Sequence, residues 1–223
     1  MAIRESTTVG RIAAALPLAT RVLARHDIDF CCGGGKTLRE ACAARGLEAE
    51  EILGEIEKEH LALVEEPKVW DRAPLEELID HILSAYHEPL SEELPRLEAL
   101  ARKVVGVHGG RDPKMFEDLL DTFLALKAEL EQHMMKEEQI LFPLIRSGRG
   151  QLAAGPIEVM EAEHSSAGAA LLHLRALTGA YHPPAEACTS WKALWHGLAA
   201  LESSLHQHIH LENNILFPRA LAT

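Results

Sequence analysis

Eleven residues occur twice in this chain in nearly the same form. Residues 133–143 read HMMKEEQILFP, and residues 208–218 read HIHLENNILFP. Each copy keeps a histidine four positions before a glutamate, His133 with Glu137 and His208 with Glu212, and each then ends in ILFP. The duplication predicts a repeated structural unit in which each copy supplies one half of a single site.

The spacing within each copy predicts what that half-site contains. In an α-helix, side chains four positions apart share a face and lie about 6 Å apart along the axis. The histidine and the glutamate of each copy should therefore project together. One imidazole and one carboxylate on a helix make a half-site for a transition metal such as iron, manganese or zinc.

The composition favours helices throughout the chain. Hydrophobic residues make up 47% of the sequence but aromatic residues only 4%, so Leu and Ala must build most of the core. Both are strong helix formers, whereas strands prefer β-branched and aromatic residues. Apolar residues also recur at helical spacing, as in Phe116, Leu119, Leu120 and Phe123. The expected fold class is all-α.

Turn signals separate four long helical stretches after residue 74, and these predict an antiparallel up-down-up-down four-helix bundle. Asp112 and Pro113 form a helix start, with an N-cap residue followed by proline at the first helical position. Pro89 and Pro95 lie inside the first stretch and are expected to kink or break it, although the stretch should still behave as one element. The four stretches cover residues 74–105, 112–148, 156–179 and the region after Pro184.

The segment EEPKVWDRAP divides the chain into two predicted domains. Residues 1–64 are expected to form a small helical domain that carries two adjacent cysteines. Residues 65–73 are a linker, and residues 74–223 are the bundle. A linker with Trp70 and two nearby prolines also allows exchange between the protomers of a homodimer.

Charge and hydropathy exclude several classes of partner. The formal net charge is −12, which argues against nucleic acid and anionic membranes, because both require a basic surface. No apolar run approaches the roughly 18 residues of a membrane-spanning helix. IAAALPLA at residues 12–19 has the length of a signal-peptide core, but it contains Pro17 and is followed by RVLARHD. With four cysteines that do not resemble a secreted disulfide framework, a cytoplasmic location is expected.

The remaining metal ligands are expected from the helices between the two copies. IDHILSAYH at residues 79–87 and IEVMEAEH at residues 157–164 are similar in pattern and end in His87 and His164. Helix lengths place both histidines at the height of Glu137 and Glu212 in an antiparallel bundle. Four histidines and two glutamates exceed the needs of one ion and suit two metals bridged by two carboxylates.

The repeat also distinguishes between neighbouring histidines. LHQHIHLE contains His206, His208 and His210, but only His208 aligns with a histidine when the copies are matched on ILFP. A lone helical histidine is more often a surface or core residue than a ligand. On that ground five histidines receive no role, with His108 the strongest exception because it lies near a helix end: His81, His108, His173, His182 and His196.

These motifs resemble those of hemerythrin-like four-helix proteins with a non-haem di-iron centre. DFCCGGGKTL, HMMKEEQILFP, MEAEH and LENNILFPRAL are together similar, over nearly the full chain, to the RIC family of iron–sulfur cluster repair di-iron proteins. The resemblance implies two non-haem iron ions per chain with an oxo or hydroxo bridge. It implies that Glu137 and Glu212 bridge the irons and that the terminal ligands are His87, His133, His164 and His208.

Two further carboxylates are candidates for a supporting role. Glu129 lies four residues before His133 on the same helix face, and Glu163 directly precedes His164. Both can be ordinary solvated charges of a helix surface. The functional hypothesis makes them groups outside the ligand set that guide iron or protons. Replacing either by Leu should then preserve bound iron and slow its release.

The adjacent Cys31 and Cys32 precede a predicted helix start in which Thr37 and Glu40 form a capping box. Thiols near a helix N-terminus tend toward a lowered pKa and greater reactivity. The hypothesis is a redox pair that exchanges electrons with the metal centre or docks a partner, and the alternative is simple packing of two small residues. Cys42 and Cys188 are interpreted as structural.

Three functions remain in competition on the sequence alone. The preferred one, which rests largely on the resemblance, is repair of iron–sulfur clusters damaged by nitrosative or oxidative stress, through supply of iron to the damaged proteins. The second is an enzyme that reduces nitric oxide at the metal pair, with the cysteines as electron source. The third is a hemerythrin-type module that binds or senses dioxygen or nitric oxide.

Overall fold

The computed structural model describes residues 3–61 and 68–223, and the regular structure of these residues is helical. Four short helices precede residue 62: α1 (Val9–Ala15), α2 (Ala19–Arg25), α3 (Leu38–Ala43) and α4 (Ala49–Leu61). An isolated antiparallel bridge joins Thr8 to Thr37. Thr37 caps α3 and forms the predicted capping box with Glu40. Residues 62–67, which include the first part of the predicted linker, lie outside the described residues.

Four long helices make up most of residues 68–223. Helix A comprises α5 (Leu75–Ile82), a π-helical turn (Leu83–His87) and α6 (Glu88–His108). Helix B comprises α7 (Pro113–Lys136), a π-helical turn (Glu137–Leu141) and α8 (Phe142–Arg146). Helix C is α9 (Ala154–Leu177), preceded by a 3₁₀ turn (Gly150–Ala153). Helix D comprises α10 (Thr189–Leu211), a π-helical turn (Glu212–Leu216) and α11 (Phe217–Leu221).

The packing of these helices agrees with the predicted bundle. Helix A packs against helices B and D, helix B packs against helix C, and helix C also contacts helix D. Successive helices are therefore neighbours in space around a closed ring, as in an up-down-up-down bundle. Asp112 caps helix B as predicted, because its carboxylate accepts a hydrogen bond from the amide of Met115. No described helix is long and apolar enough to span a membrane.

Each π-helical turn is followed by a proline within the next α-helical turn. Proline has no amide hydrogen and clashes with the carbonyl four residues before it, so it disturbs an ordinary helix. In these turns the amides of Glu88, Phe142 and Phe217 instead donate to carbonyls five residues back. The expected break at Pro89 or Pro95 does not occur, since α6 begins at Glu88 beside the π turn and continues past Pro95 to His108.

The small helices share a hydrophobic core with the bundle. Buried side chains of the first domain, among them Ile12, Leu23 and Phe30, belong to the same apolar cluster as the interior of helices A to D. A second cluster fills the end of the bundle that contains the π turns and includes Phe142 and Phe217. The N-terminal domain therefore packs directly on the bundle. Exchange between protomers stays a prediction.

Candidate metal centre

The π turns place the repeated glutamates and one of the histidines at the centre of the bundle. His87 ends the first turn, Glu137 begins the second, and Glu212 begins the third. Both carboxylates are completely buried, with 0% of their surface exposed. Isolated π turns often mark functional sites because they rotate side chains out of the ordinary helical register. The four predicted histidines are buried as well: His87, His133, His164 and His208.

The six residues form two overlapping groups of possible metal ligands. One group contains His87 and His208, the other contains His133 and His164, and both groups include Glu137 and Glu212. Within each group, one donor atom from every member lies within 4.8 Å of the others. The structure thus brings together all six predicted side chains. Their binding of metal stays a prediction.

The imidazoles face one another in pairs through their Nε2 atoms. These atoms are 3.2 Å apart in His87 and His208, and 3.0 Å apart in His133 and His164. The two oxygens of Glu212 divide between the pairs, with Oε1 at 3.0 Å from Nε2 of His208 and Oε2 at 3.2 Å from Nε2 of His164. A carboxylate that reaches both pairs in this way is suited to bridge two metal positions.

Glu137 reaches both pairs too, but through one oxygen. Its Oε2 lies 3.4 Å from Nε2 of His87 and 3.3 Å from Nε2 of His133. Neither oxygen of Glu137 has a partner in hydrogen-bond geometry among the described residues, and the same holds for Oε2 of Glu212. Buried carboxylate oxygens without donors are costly unless a cation balances them. This donor set, with two shared carboxylates and four imidazoles, fits two metal ions.

Without metal, the same carboxylates attract protons to the histidines. Burial alone would lower the pKa of His87 and His164, but Glu137 and Glu212 outweigh it and raise these values to about 8 and about 9. Burial would raise the pKa of Glu212, yet the charges and hydrogen bonds of His208 and His164 hold it well below its usual range. The histidines must release these protons before they can bind a metal.

The repeated ILFP segment also contacts the centre. Phe142 lies against His87, with ring centroids 5.7 Å apart, and Phe217 stacks on His164 at 5.9 Å with an interplanar angle of 1°. Both phenylalanines are buried. Each copy of the repeat therefore supplies a carboxylate and an aromatic wall for a histidine on a different helix.

Three residues form hydrogen bonds with the outer ring nitrogen, Nδ1, of three of the four histidines. Nδ1 of His87 lies 2.8 Å from Glu138, Nδ1 of His133 lies 2.9 Å from Glu163, and Nδ1 of His164 lies 2.7 Å from Asn213. The sequence identified only Glu163 among these partners. The sequence did contain a signal for the other two partners, because Glu138 and Asn213 occupy the same position of the repeat, directly after Glu137 and Glu212.

Glu129 forms no hydrogen bond or ion pair with the six central side chains. It is exposed, accepts a hydrogen bond from Ser166 at 3.1 Å, and lines a small pocket over the centre together with Glu163. Its role in guiding iron or protons stays a prediction. For Glu163 the structure shows a hydrogen bond to His133, and its role as a channel group stays a prediction. The two have opposite expected effects, since loss of a channel group slows iron release, whereas loss of the hydrogen bond to His133 loosens a ligand.

We expect Glu129→Leu to keep its bound iron and to release it several-fold more slowly to a chelator. The physical reason is that a carboxylate at the pocket mouth can take up a cation as it leaves, whereas Leu cannot. The measurement is the rate of iron transfer to a chromophoric ferrous chelator. Glu131→Leu, an exposed position on the same helix, is the control. Equal rates in wild type and Glu129→Leu would leave the channel role without support.

The other histidines lie outside both ligand groups. His210 is buried beside Phe30, with ring centroids 5.6 Å apart, and burial lowers its pKa to about 4. His206 also contacts Phe30, with ring centroids 6.3 Å apart, and burial lowers its pKa as well. His108 lies far along helix A, with Nε2 3.2 Å from Sγ of Cys188. The alignment of the two repeat copies therefore selected the one histidine of this cluster, His208, that lies with the other five central side chains.

The adjacent cysteines lie against the helix that carries His164. Sγ of Cys32 is 3.5 Å from the backbone oxygen of His164, and the two Sγ atoms are 3.9 Å apart. A hydrogen bond from the thiol of Cys31 lowers the pKa of Cys32, and the same pairing together with burial raises the pKa of Cys31. The lowered pKa of Cys32 thus arises from its neighbour, and the redox role of the pair stays a prediction.

Asn214 fastens the cysteine loop to the bundle. Its amide nitrogen donates to the backbone oxygens of Phe30 and Cys31, at 3.2 and 3.1 Å. A Cβ atom at Gly10 or Gly34 would overlap the Asn214 side chain, so glycine is required for this close approach. Three consecutive residues of the second copy therefore have separate contacts. Glu212 belongs to both ligand groups, Asn213 lies against His164, and Asn214 donates hydrogen bonds to the cysteine loop.

We expect Asn214→Ala to speed alkylation of Cys31 about 30-fold. Two partly buried hydrogen bonds of roughly 1 kcal/mol each are lost, which raises the population of the opened loop. Mass spectrometry of the iodoacetamide adducts measures the rate, with the buried Cys42 as an internal standard. Gln139→Ala is the matched control, because Gln139 is exposed at the equivalent position of the first copy. Equal Cys31 rates in both variants would contradict the fastening role.

Comparisons with known proteins agree with this geometry. Residues 78–220 match the family described as the hemerythrin HHE cation binding domain, and residues 5–60 match a domain of unknown function called ScdA_N. The first match spans more than half of the chain, so the bundle defines a hemerythrin-like metal-binding protein. The proteins named "Iron-sulfur cluster repair protein YtfE" from Shigella boydii serotype 18 and from Escherichia coli (strain SE11) are each 46% identical over 224 aligned residues. Each alignment covers 100% of this chain and 99% of the relative, and the chain belongs to the iron–sulfur cluster repair protein YtfE family.

Proposed function

We propose that this protein binds two non-haem iron ions and supplies iron to repair iron–sulfur clusters damaged by nitric oxide or oxidants. The observation that carries the proposal is the pair of ligand groups that share Glu137 and Glu212. Under this proposal each ion has two terminal histidines, and both carboxylates bridge. The relatives named above, which align along the whole chain, support the repair role.

The residues of the chain hold and enclose the proposed centre. Glu137 and Glu212 supply negative charge inside the bundle, and the facing imidazoles supply neutral nitrogen donors once their protons have left. The irons, when bound, supply Lewis acidity and one-electron redox chemistry. Beside the histidines lies a cavity of about 10 Å³, whose apolar walls include Leu90, Leu130 and Leu205. It has room for roughly one water molecule.

Supply of iron is consistent with the donor set. Hard, mixed imidazole and carboxylate ligation holds ferrous iron less firmly than a thiolate cage or haem does. The proposed partners are proteins that carry damaged iron–sulfur clusters, and the proposed location is the cytoplasm, where free thiols such as Cys31 and Cys32 stay reduced. Residues 1–64 then serve as a docking and redox domain, and residues 74–223 as the iron-binding bundle.

The test is anaerobic transfer of iron to an iron–sulfur protein whose cluster has been destroyed by nitric oxide. Wild-type protein loaded with iron, together with sulfide and a thiol reductant, should restore the cluster absorbance even when a membrane-filterable iron chelator is present. Glu137→Leu/Glu212→Leu, incubated with the same total iron, should not. Recovery at the rate of free ferrous iron in both samples would overturn the repair proposal.

The contact between Cys32 and the backbone of His164 favours a second candidate, reduction of nitric oxide. Two molecules of nitric oxide and the two thiols of Cys31 and Cys32 balance as nitrous oxide, water and one disulfide. Further turnovers then need an external thiol to reduce that disulfide. Multiple turnovers to nitrous oxide, measured by gas chromatography and lost in Cys31→Ser/Cys32→Ser, would favour the enzyme. Reversible binding of nitric oxide or dioxygen without iron loss would favour a sensor.

A further inference from the structure

The four central histidines differ in what surrounds their outer nitrogens. Three Nδ1 atoms have polar partners, namely Glu138 for His87, Glu163 for His133 and Asn213 for His164. Nδ1 of His208 is buried, and no described residue forms a hydrogen bond with it. Since the Nε2 atoms face the carboxylates, Nδ1 carries the hydrogen when Nε2 binds a metal. Of the four central histidines, only His208 therefore holds a buried donor without an acceptor among the described residues.

The internal repeat shows how this difference arises. Glu163 directly precedes His164 and accepts a hydrogen bond from His133 on helix B. Its counterpart in helix A is Tyr86, which directly precedes His87 and lies against His208 on helix D. Tyr86 offers the face of its ring, with centroids 5.2 Å apart and an interplanar angle of 12°. An acceptor in one half of the repeat is thus replaced by an aromatic ring in the other half.

The three polar partners of the histidines differ in how exposed they are and in what else anchors them. Glu163 also forms an ion pair with Lys136, and 30% of its side chain is exposed. Asn213 comes from the π turn that begins with Glu212. Glu138, the partner of His87, is 47% exposed, so water competes for its carboxylate. Both His133 and His164 therefore have anchored hydrogen-bond partners. In the other pair, the partner of His87 is solvated and His208 has no partner among the described residues.

These partners matter for metal affinity. A hydrogen bond to the outer nitrogen fixes the tautomer and the ring orientation of a ligating histidine and raises its basicity, and loss of such a partner costs about 10- to 100-fold in affinity. A buried N–H without an acceptor also carries a desolvation penalty. Both effects weaken the metal position between His87 and His208 relative to the position between His133 and His164.

We propose that the position between His87 and His208 is the labile one, and that its ion is the iron given to the acceptor. This inference rests on the proposed function, which it deepens by naming the ion that leaves. Asn213 and Glu163 are positioning residues for the retained ion, and Tyr86 keeps the other position weak. Tyr86 also lines a cavity of about 330 Å³ with His81 and Gln207, so the labile side lies next to open space.

The test follows the two ions separately. Protein that has been loaded anaerobically with iron is mixed with a chromophoric ferrous chelator, and the absorbance change is recorded by stopped flow. Wild type should show two phases of one iron each, with rates that differ about tenfold or more. Asn213→Ala should accelerate the slow phase by about 10- to 100-fold and leave the fast phase unchanged, and Asn213→Asp should restore the slow phase because it keeps an acceptor.

The converse variant is Tyr86→Glu, which copies the arrangement of Glu163 and should slow the fast phase. Tyr86→Phe keeps the ring and should behave like wild type. If Tyr86→Glu does not fold, the Asn213 variants still decide the question.

Two irons released in a single phase, or an effect of Asn213→Ala on the fast phase alone, would overturn the inference without affecting the repair proposal. Biphasic release with no transfer to a damaged cluster would instead remove the repair proposal and leave the inequality of the two positions. Failure of the protein to hold two irons would remove both.

Discussion

The double variant Glu137→Leu/Glu212→Leu is expected to lose nearly all bound iron. Both carboxylates belong to both ligand groups, so their removal leaves each pair of histidines without any anionic ligand. Neutral imidazoles alone do not balance the charge of two ferrous ions inside a bundle. Iron analysis of anaerobically purified protein should fall from about two ions per chain to below about 0.2.

The same variant should raise the stability of the metal-free protein. In the wild type, three of the four carboxylate oxygens of Glu137 and Glu212 lack hydrogen-bond donors among the described residues. Replacing such buried charges by apolar side chains of similar volume is often neutral or stabilising by about 1–4 kcal/mol, and the neighbouring histidines can lose their protons once the carboxylates are gone. Chemical denaturation of both apoproteins measures the difference in the free energy of unfolding. Iron-loaded wild type should nevertheless be more stable than the variant, because a bound metal stabilises the folded state.

The matched control is Glu131→Leu/Glu158→Leu, which makes the same change of charge at two exposed positions on helices B and C. It should keep its full iron content. Full retention of iron in Glu137→Leu/Glu212→Leu would contradict the shared role of the two carboxylates, whatever happens to stability.

The second large effect is expected for Phe217→Ala. The ring is 1% exposed, lies in the apolar cluster at the π-turn end of the bundle and stacks on His164. Truncation of a buried phenylalanine to alanine costs about 3–5 kcal/mol, because apolar contact is lost and a cavity remains. Urea denaturation of the metal-free protein should show this loss without any contribution from iron.

Phe217→Leu serves as the control for volume and should cost about 1 kcal/mol, since most of the apolar contact is kept. Both variants lose the aromatic ring that stacks on His164. The slow phase of iron release should therefore be faster in both variants than in wild type. A loss below about 1 kcal/mol in Phe217→Ala would mean that the repeated ILFP segment contributes little to the packing of this end.

The histidine and glutamate positions were predictable because the repeat records them twice. Internal alignment on ILFP selected His208 over His206 and His210, and the structure places only His208 with Glu212. The bundle was predictable as well, since long amphipathic stretches with short connections have few other ways to bury their apolar faces.

Other features could not be predicted because they depend on contacts between helices. The π turns leave no mark on apolar periodicity, although Pro89, Pro143 and Pro218 each follow one. Glu138 and Asn213 resemble ordinary polar positions until helices A and C bring His87 and His164 to them. The fastening of the cysteine loop by Asn214 likewise requires the docked N-terminal domain.

The most direct test of the account is the metal content of wild-type protein purified without oxygen, measured by mass spectrometry of the dissolved metals against the protein concentration. The two ligand groups that share Glu137 and Glu212 predict about two irons per chain. One zinc per chain, or no metal at all, would contradict the di-iron centre and leave the repeated HMMKEEQILFP as an element of helix packing alone.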